Sequence, residues 1–504
     1  MPGLRKAAAK LPHRLSSQDA AFVYGESYHG PLHVGCITYF DGRIDLDEFV
    51  AHLEARMHLL PRYRQRLAFV PLNLAHATWE DDPEFNVRHH VHWHSLPPGT
   101  EEQQFLKAAM EVFAPMLDRG RPLWETHLFR GVDGDRTAIV WKMHHCLVDG
   151  VSGMELLSSS LDLRPDLPPA YLAKPFRPAR LPGPAKSLML GILDIVQNRL
   201  EEARRAAEFA EKPFAAAERL ARTAYIAGRM VQMLWRPIVA APWNARLVNA
   251  GRSLNYLKLS FNHLRAVRNA LGGTVNDTVL AILSEAGARY LAYHRFDTRG
   301  APLRIGCPVS VRRQGERGAL GNRVSMMFVE CSSAPMAAEE RLASVIRETT
   351  GLKNTGEAAA LELLVEAGDW IPPALLGLSS ILTTGAVDAA VRLGEALPGI
   401  SRMFTLPPLG INFIATNVPG AQIPMYLAGR RMTSMIGCVP LAANIGYSVA
   451  IVTYNQEVVF GLMAEPTLMP DLDRMRAYAA EVFEELMSAA KTSPAPTTAA
   501  GRKQ

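Results

Sequence analysis

Two adjacent histidines, His144 and His145, follow an apolar stretch at residues 138–141 that is typical of a buried strand. Side chains alternate between the two faces of a strand, so the pattern sends the two imidazoles in opposite directions. One imidazole can therefore face a cleft while the other anchors the end of the strand. Because imidazole has an ordinary pKa of about 6.5, a histidine in such a cleft is suited to general base catalysis.

Asp149 and Gly150 complete the pattern His-His-x-x-x-Asp-Gly, where the strand gives way to a helix predicted over residues 151–163. Gly150 permits a tight turn into that helix. A carboxylate four residues beyond His145 is expected to face away from the cleft, which favours a structural ion pair for Asp149 over proton transfer. An isolated histidine pair is most often packed in a core, whereas the whole pattern at a strand-to-helix junction indicates a catalytic site.

Cysteine and serine nucleophiles receive less support from the sequence. Cys146 directly follows His145, so the two side chains are expected to point to opposite faces, and Cys146 is interpreted as a small packing residue. The sequence contains no G-x-S-x-G motif, which is the pattern of a serine esterase.

A histidine-rich segment at residues 89–94 is a second candidate site. His90, His92 and His94 would share one face of a strand. Metal sites on strands usually take ligands from a second element as well. Because no cysteine or second histidine cluster lies nearby in the sequence, we expect a solvent-facing strand and no metal site.

Strand and helix patterns alternate in both halves of the chain, which is typical of an α/β or α+β protein. Thr274 and Asp277 are spaced as a capping box at the start of one helix, and Asn276 lies between them. The predicted strands cover residues 32–40, 126–131, 137–144, 255–261, 410–417, 446–454 and 458–463, and the predicted helices cover residues 46–57, 151–163 and 274–293.

Prolines mark the clearest boundary between domains in the chain. Seven of them lie within residues 163–187 and favour an extended connector. Apolar residues then recur three and four apart up to about residue 235, which is the pattern of a helical bridge. The predicted divisions are an N-terminal half at 10–162, a linker and bridge at 163–249, a C-terminal half at 250–488 and a disordered tail at 489–504.

The composition of the 504-residue chain argues against several classes of protein. Its net charge is only +5 and its basic and acidic residues are interspersed, so nucleic-acid binding is not indicated. Five widely spaced cysteines favour a reduced intracellular protein, and the first 17 residues lack the apolar core of a signal peptide. Residues 370–387 are the best candidate for a membrane span, but they contain a Pro-Pro pair and polar residues, so no span is expected.

The sequence resembles the bacterial wax ester synthase/diacylglycerol acyltransferases from about residue 14 to 465. Those enzymes belong to a wider group that shares His-His-x-x-x-Asp-Gly and includes coenzyme A-dependent acyltransferases and the condensation domains of peptide synthetases. The segments that carry the resemblance are Leu15-Ser16-Ser17-Gln18-Asp19, Pro31-Leu32-His33-Val34-Gly35, Arg121-Pro122-Leu123-Trp124-Glu125, His144 to Gly153, Val275-Asn276-Asp277, Pro308-Val309-Ser310-Val311-Arg312 and Thr416-Asn417-Val418-Pro419-Gly420.

This resemblance implies two chloramphenicol-acetyltransferase-like halves joined by a helical connector, with the active site in the cleft between them. It implies transfer of a fatty acyl group from acyl-CoA to diacylglycerol or a long-chain alcohol, with acyl-CoA as a substrate and no cofactor. His145 would be the general base, and His144, Asp149 and Gly150 would support it. Arg312 would pair with Asp149.

The resemblance leaves several points open. The oxyanion could be stabilised by backbone N–H groups near Gly150, by Asn417 or by Asn276, and both asparagines could instead stabilise a turn or a helix start. Lipid substrates imply a cytoplasmic protein at the inner face of the membrane or on lipid inclusions, and no oligomeric state is indicated. N-acyl transfer by a condensation-type enzyme and lipid binding without catalysis remain alternative functions.

Overall fold

The computed structural model describes residues 14–69, 76–132, 134–148, 150–166, 236–310, 324–355 and 410–492, together with positions 176, 178–179 and 189. Several features predicted from the sequence lie outside these residues. They are the bridge helices before residue 235, the segment 370–387, Asp149, Arg312 and most of the predicted tail.

The described residues form alternating strands and helices, which confirms the mixed α/β prediction. In the first half, the elements are α1 (Ser17–Gly25), β1 (His33–Phe40), α2 (Leu46–Glu54), β2 (Gln65–Ala68), β3 (Thr78–Asp81), β4 (Val91–Thr100), α3 (Glu102–Phe113), β5 (Trp124–Val132), β6 (Arg136–His144) and α4 (Gly150–Ser159). In the second half, they are β7 (Ser253–Ser260), α5 (Phe261–Leu271), α6 (Val275–Tyr293), β8 (Leu303–Ser310), β9 (Val324–Cys331), α7 (Ala338–Thr355), β10 (Phe413–Pro419), β11 (Tyr426–Leu427), β12 (Arg430–Cys438), β13 (Tyr447–Tyr454), β14 (Glu457–Ala464) and α8 (Leu472–Thr492).

Two mixed sheets of six strands each organise the described chain. The first has the order β11-β12-β1-β6-β5-β4, and the second has the order β7-β14-β13-β10-β8-β9. Parallel pairs (β4 with β5, and β10 with both β8 and β13) occur beside antiparallel ones in each sheet. A sheet of this mixed kind, with helices packed against it, matches the α+β form of the prediction.

One segment crosses between the two predicted halves. Strands β11 and β12 come from the C-terminal half in sequence, yet β12 pairs antiparallel with β1 in the first sheet, from Gly35 opposite Cys438 onward. The division at residues 162 and 250 stays a prediction, but this crossing shows that the two halves share a sheet. In addition, α8 extends to Thr492, beyond the predicted start of the tail at residue 489.

Glycines allow close backbone approach both between the two sheets, at Gly437, and within the first sheet, at Gly35. A β-carbon on Gly437 of β12 would lie 2.7 Å from side-chain atoms of Ala450 and Val452 on β13, and one on Gly35 would lie 1.8 Å from the Trp141 carbonyl oxygen. Both distances are shorter than any contact a real side chain could make. Glycine is therefore required at both positions, which bring β1 and β12 against their neighbours.

The capping box predicted for α6 is present. The Thr274 hydroxyl accepts a hydrogen bond from the Asp277 N–H, and the Asp277 carboxylate accepts one from the Thr274 N–H at 2.7 Å. Most residues of α6 are buried, because it packs against α7, α8 and the second sheet. This helix therefore forms the centre of the second half.

Candidate active site

His145 lies in the turn directly after β6, where it lines a cavity of about 580 Å³. Its backbone N–H donates to the Leu32 carbonyl oxygen at 2.9 Å, which ties the turn to the start of β1. The half-buried imidazole stacks on the Phe22 ring of α1, with centroids 3.9 Å apart and planes 8° from parallel. The local fold thus holds the ring in one orientation.

Residues of both halves form the wall of this cavity, and most of them are apolar. The first half contributes Val34, Trp141 and Met143, and the second half contributes Ile414 and Val418. The polar side chains on the wall are those of His145, Gln18, Tyr63 and Thr416, together with the thiols of Cys36 and Cys438. A basic nitrogen in a mainly apolar chamber suits proton transfer with little water present.

His144 faces the opposite side of the strand end, as alternation predicts. Its side chain is buried, and its Nδ1 accepts a hydrogen bond from the Cys146 N–H at 3.1 Å. In the neutral ring the proton must then lie on Nε2, which faces the Glu26 carboxylate at 3.5 Å. His144 therefore anchors the turn that carries His145.

Glu26 is the centre of a buried polar cluster behind the two histidines. Its side chain is 1% exposed, and it accepts hydrogen bonds from the Leu32 N–H at 3.0 Å and from Arg119 at 2.9 Å. Burial raises the pKa of this carboxyl, but hydrogen bonds from His144 and Arg119 outweigh burial and lower the pKa to about 2. Glu26 is therefore ionised, and it braces the strand end from the side away from the cavity.

His33 completes the cluster as a neutral ring. Burial, and then the nearby Lys142 ammonium, lower the pKa of His33 to about 3. Its Nδ1–H donates to the Phe113 carbonyl oxygen at 3.3 Å, and its Nε2 accepts from the Leu117 N–H at 3.4 Å. This geometry explains why a histidine stands in the segment at residues 31–35.

The depressed pKa of His33 predicts a specific loss of stability in mild acid. The ring is neutral in the folded chain but takes up a proton in the unfolded chain below pH 6.5, so falling pH favours unfolding between pH 6.5 and about 3. His33 alone should contribute about 1.4 kcal/mol per pH unit in that window. Urea unfolding across a pH series should show a shallower slope for His33→Gln, and an unchanged slope would contradict the neutral ring.

The two asparagines suggested for the oxyanion are brought together, but not in the cavity. Asn417 Nδ2 donates to Asn276 Oδ1 at 3.4 Å, and Asn417 is exposed. On β10 the residues that line the cavity are Ile414, Thr416 and Val418, so alternation turns Asn417 to the other face. Thr416 is thus the polar residue that β10 presents to the cavity, and a positioning role for the asparagines stays a prediction.

Helix α4 begins at Gly150 and presents Gly153, Met154 and Leu157 to the cavity. Its first turn therefore lies beside the chamber that contains His145, in keeping with the suggested backbone donors. Asp149 and Arg312 lie outside the described residues, so their pairing stays a prediction.

Cys146 is buried, and burial raises the pKa of its thiol well above the ordinary value. A protonated thiol is a poor nucleophile, so the structure favours the packing interpretation of this residue.

The sequence motifs did not reveal Glu26 or Arg119. Each lies a few residues from a recognisable segment, and neither belongs to a periodic pattern. A buried acid among two histidines and an arginine becomes visible only when the strands are assembled.

Two solved structures show which class of fold this chain has. A wax ester synthase/diacylglycerol acyltransferase from Marinobacter aquaeolei VT8 superposes with a TM-score of 0.62 at 22% identity, over 95% of this chain and 100% of that one. The first condensation domain of the calcium-dependent antibiotic synthetase superposes with a TM-score of 0.59 at 16% identity, over 96% and 97%. The chain therefore has the two-part fold that acyltransferases and condensation domains share.

Sequence comparison then gives the family. The wax ester synthase/diacylglycerol acyltransferase catalytic domain matches residues 15–279, and the C-terminal domain of the same family matches residues 320–487. A Mycobacterium tuberculosis H37Rv protein named as a diacylglycerol O-acyltransferase is 32% identical over 95% of this chain and 91% of its own length. A second protein of that strain, similarly named, is 27% identical over 95% and 96%.

The chain belongs to the wax ester synthase/diacylglycerol acyltransferase family, as the sequence predicts, and is an acyltransferase. Within the described residues, none of the helices is both long enough and apolar enough to span a membrane.

Proposed function

We propose that this protein transfers a fatty acyl group from acyl-CoA to the hydroxyl of diacylglycerol or of a long-chain alcohol, with His145 as the general base. The observation that supports the proposal most directly is the position of His145 on the wall of an apolar cavity built by both halves. The names of the related proteins point to the same acceptors.

The chemistry requires one proton to move twice. His145 removes the proton of the acceptor hydroxyl as its oxygen attacks the thioester carbonyl, which gives a tetrahedral oxyanion. When this intermediate collapses, the carbon–sulfur bond breaks and the coenzyme A thiolate takes the proton from the imidazolium. The products are an ester and free coenzyme A, and no covalent enzyme intermediate is required because the thioester is already activated.

Other residues near the cavity would position the reacting groups. The Thr416 hydroxyl and the backbone N–H groups at the start of α4 lie beside the cavity and are the donors we favour for the oxyanion. An ion pair between Asp149 and Arg312 would hold the turn, and Asn276 and Asn417 would order the rim through their mutual hydrogen bond.

An acceptor panel tests this proposal against its alternatives. Purified protein should release thiol from palmitoyl-CoA in the presence of hexadecanol or diacylglycerol, and little in the presence of hexadecylamine. Faster turnover with the amine would favour a condensation-type N-acyltransferase. Absence of turnover with every acceptor would favour a lipid-binding protein.

The width of the cavity should determine how well the enzyme uses long-chain acceptors relative to short ones. Gly153 on α4 lines the cavity, so its replacement with phenylalanine is expected to narrow the cavity. The variant should lower kcat/KM for hexadecanol relative to butanol by roughly 10-fold or more. Gly153→Ala is the matched control, because its β-carbon would meet only Val148 atoms at 3.5 and 3.9 Å. Equal losses for both alcohols in the phenylalanine variant would show that acceptors do not pass this wall.

We also propose that the protein works at the surface of a membrane or lipid inclusion in the cytoplasm, where its substrates accumulate. The small positive charge of +5 would modestly favour anionic headgroups. Washing cell membranes in high salt should then release most of the protein, as measured by immunoblotting of the two fractions. Retention after the wash would indicate apolar insertion in place of electrostatic attachment.

A further inference from the structure

A histidine-rich corner lies on the first sheet, away from the cavity. On this sheet Trp141 and Met143 of β6 face the cavity, whereas Lys142 between them faces the opposite side and approaches Glu125 of β5. None of the residues in this corner lines the cavity that contains His145. Any function of the corner is therefore separate from the acyltransfer site.

The sequence predicts no metal site at residues 89–94, because no second group of ligands is near in the chain. The structure supplies that second element. Strand β4 pairs in parallel with β5, and His92 lies directly opposite His127, with ring centroids 4.8 Å apart. Glu125 lies two residues before His127 on the same face of β5. One possible ligand atom from each of His92, Glu125 and His127 falls within 4.8 Å of the other two.

From this geometry we propose that His92, Glu125 and His127 bind a divalent transition-metal ion of the zinc type. Two imidazole nitrogens and one carboxylate oxygen are a donor set that Zn²⁺ prefers, with water completing a tetrahedral shell. Ligand atoms about 2 Å from a tetrahedral ion lie roughly 3.3 Å from one another, so small side-chain rotations would close the site.

The contacts of His127 indicate which nitrogen would bind. The residue is 6% exposed, and its Nε2 has no hydrogen-bond partner within the part of the chain that the structure describes. This atom lies 3.5 Å from Glu125 Oε2, at the outer limit of a hydrogen bond. A buried, unsatisfied ring nitrogen that faces a carboxylate is a group that a metal ion would satisfy.

Residues around the three ligands are placed as an outer shell. His127 Nδ1 lies 3.1 Å from His94 Nε2, so a metal on Nε2 leaves the Nδ1–H to donate to His94. The Lys142 ammonium lies 3.4 Å from Glu125 Oε2 and is held by the Val112 and Pro115 carbonyl oxygens. This is the same carboxylate oxygen that faces His127 Nε2, so the Lys142 charge opposes a cation there, and a rotation of the carboxylate would have to offer the other oxygen to the metal. A bound ion would join the edge strand β4 to β5.

The test uses the full chain with any affinity tag removed and after dialysis against a chelator. Titration with ZnCl₂ in a calorimeter should show one ion bound per chain, and Zn²⁺ should raise the melting temperature. Co²⁺ should give the visible absorption of a tetrahedral complex. His94→Gln should weaken Zn²⁺ binding roughly 10- to 100-fold, the range typical of an outer-shell partner, and His92→Gln should weaken it more.

His89→Gln is the matched control, because His89 is an exposed histidine of the same segment that lies outside the cluster. It should leave the Zn²⁺ affinity unchanged. The proposal is overturned if the wild-type chain binds no Zn²⁺ in the micromolar range, or if the His89 and His92 variants bind it equally. Should His92→Gln fail to fold by circular dichroism, the comparison of His94→Gln with His89→Gln decides the question.

Discussion

Replacement of His145 by alanine is expected to lower kcat for acyl transfer by roughly 100- to 10,000-fold, the usual contribution of a general base. The side chain is half-buried, and its main observed ring contact is the Phe22 stack, so the variant should remain folded. Circular dichroism and thermal melting check the fold, and release of thiol from palmitoyl-CoA measures the rate.

Two comparisons separate loss of a base from distortion of the cavity. Met143→Leu changes a neighbouring wall residue at nearly constant volume and should retain most of the activity. Added imidazole should partly restore the alanine variant, because it can occupy the vacated space and accept the proton. Near-normal turnover by a folded His145→Ala protein would show that another group is the base.

Replacement of Glu26 by glutamine should produce the largest loss of stability. The carboxylate is 1% exposed and contacts Arg119, His144 and His33, so its removal leaves an uncompensated positive charge next to buried imidazoles. Breaking a fully buried ion pair in this way typically costs about 3–5 kcal/mol, and because the Arg119 side chain is one-third exposed we expect the lower end of that range. Urea unfolding at neutral pH measures the change. Glu48→Gln is the control, because the Glu48–Arg430 pair is partly exposed and should contribute no more than about 1 kcal/mol.

The same substitution should change the response to acid. The folded-state pKa of Glu26 is about 2 against an ordinary value of 4.5, so its stabilisation is complete above pH 4.5 and is lost as the pH falls toward 2. That shift corresponds to about 3 kcal/mol. The wild-type chain should lose this free energy across the window and Glu26→Gln should not. Parallel curves for the two proteins would mean that folding does not lower the pKa of Glu26.

The sequence predicted local elements well where a single period or cap determines them. The predicted strand at residues 32–40 is observed at His33–Phe40, and the helix predicted at residues 274–293 begins with its capping box intact. These features depend on residues close together in the chain, so local patterns suffice. The position of His145 at a strand end was predictable for the same reason.

Features that depend on assembly of the strands were not predictable. The pairing of β12 with β1, the burial of Glu26 beside His144, and the register that places His92 opposite His127 all join residues distant in sequence. Asn417 is a smaller example of a feature that the sequence alone did not determine. Its strand was predicted, but the face on which it lies follows only from the cavity, which Thr416 lines instead.

The most direct test of the central claim is the stoichiometry of the reaction. Purified protein would be incubated with palmitoyl-CoA and either dioleoylglycerol or hexadecanol, with coenzyme A measured as free thiol and the ester measured by mass spectrometry. We predict one ester formed for each coenzyme A released with at least one acceptor, and almost no release without an acceptor. Release of coenzyme A without ester, or its absence with both acceptors, would contradict O-acyl transfer in the cavity that contains His145.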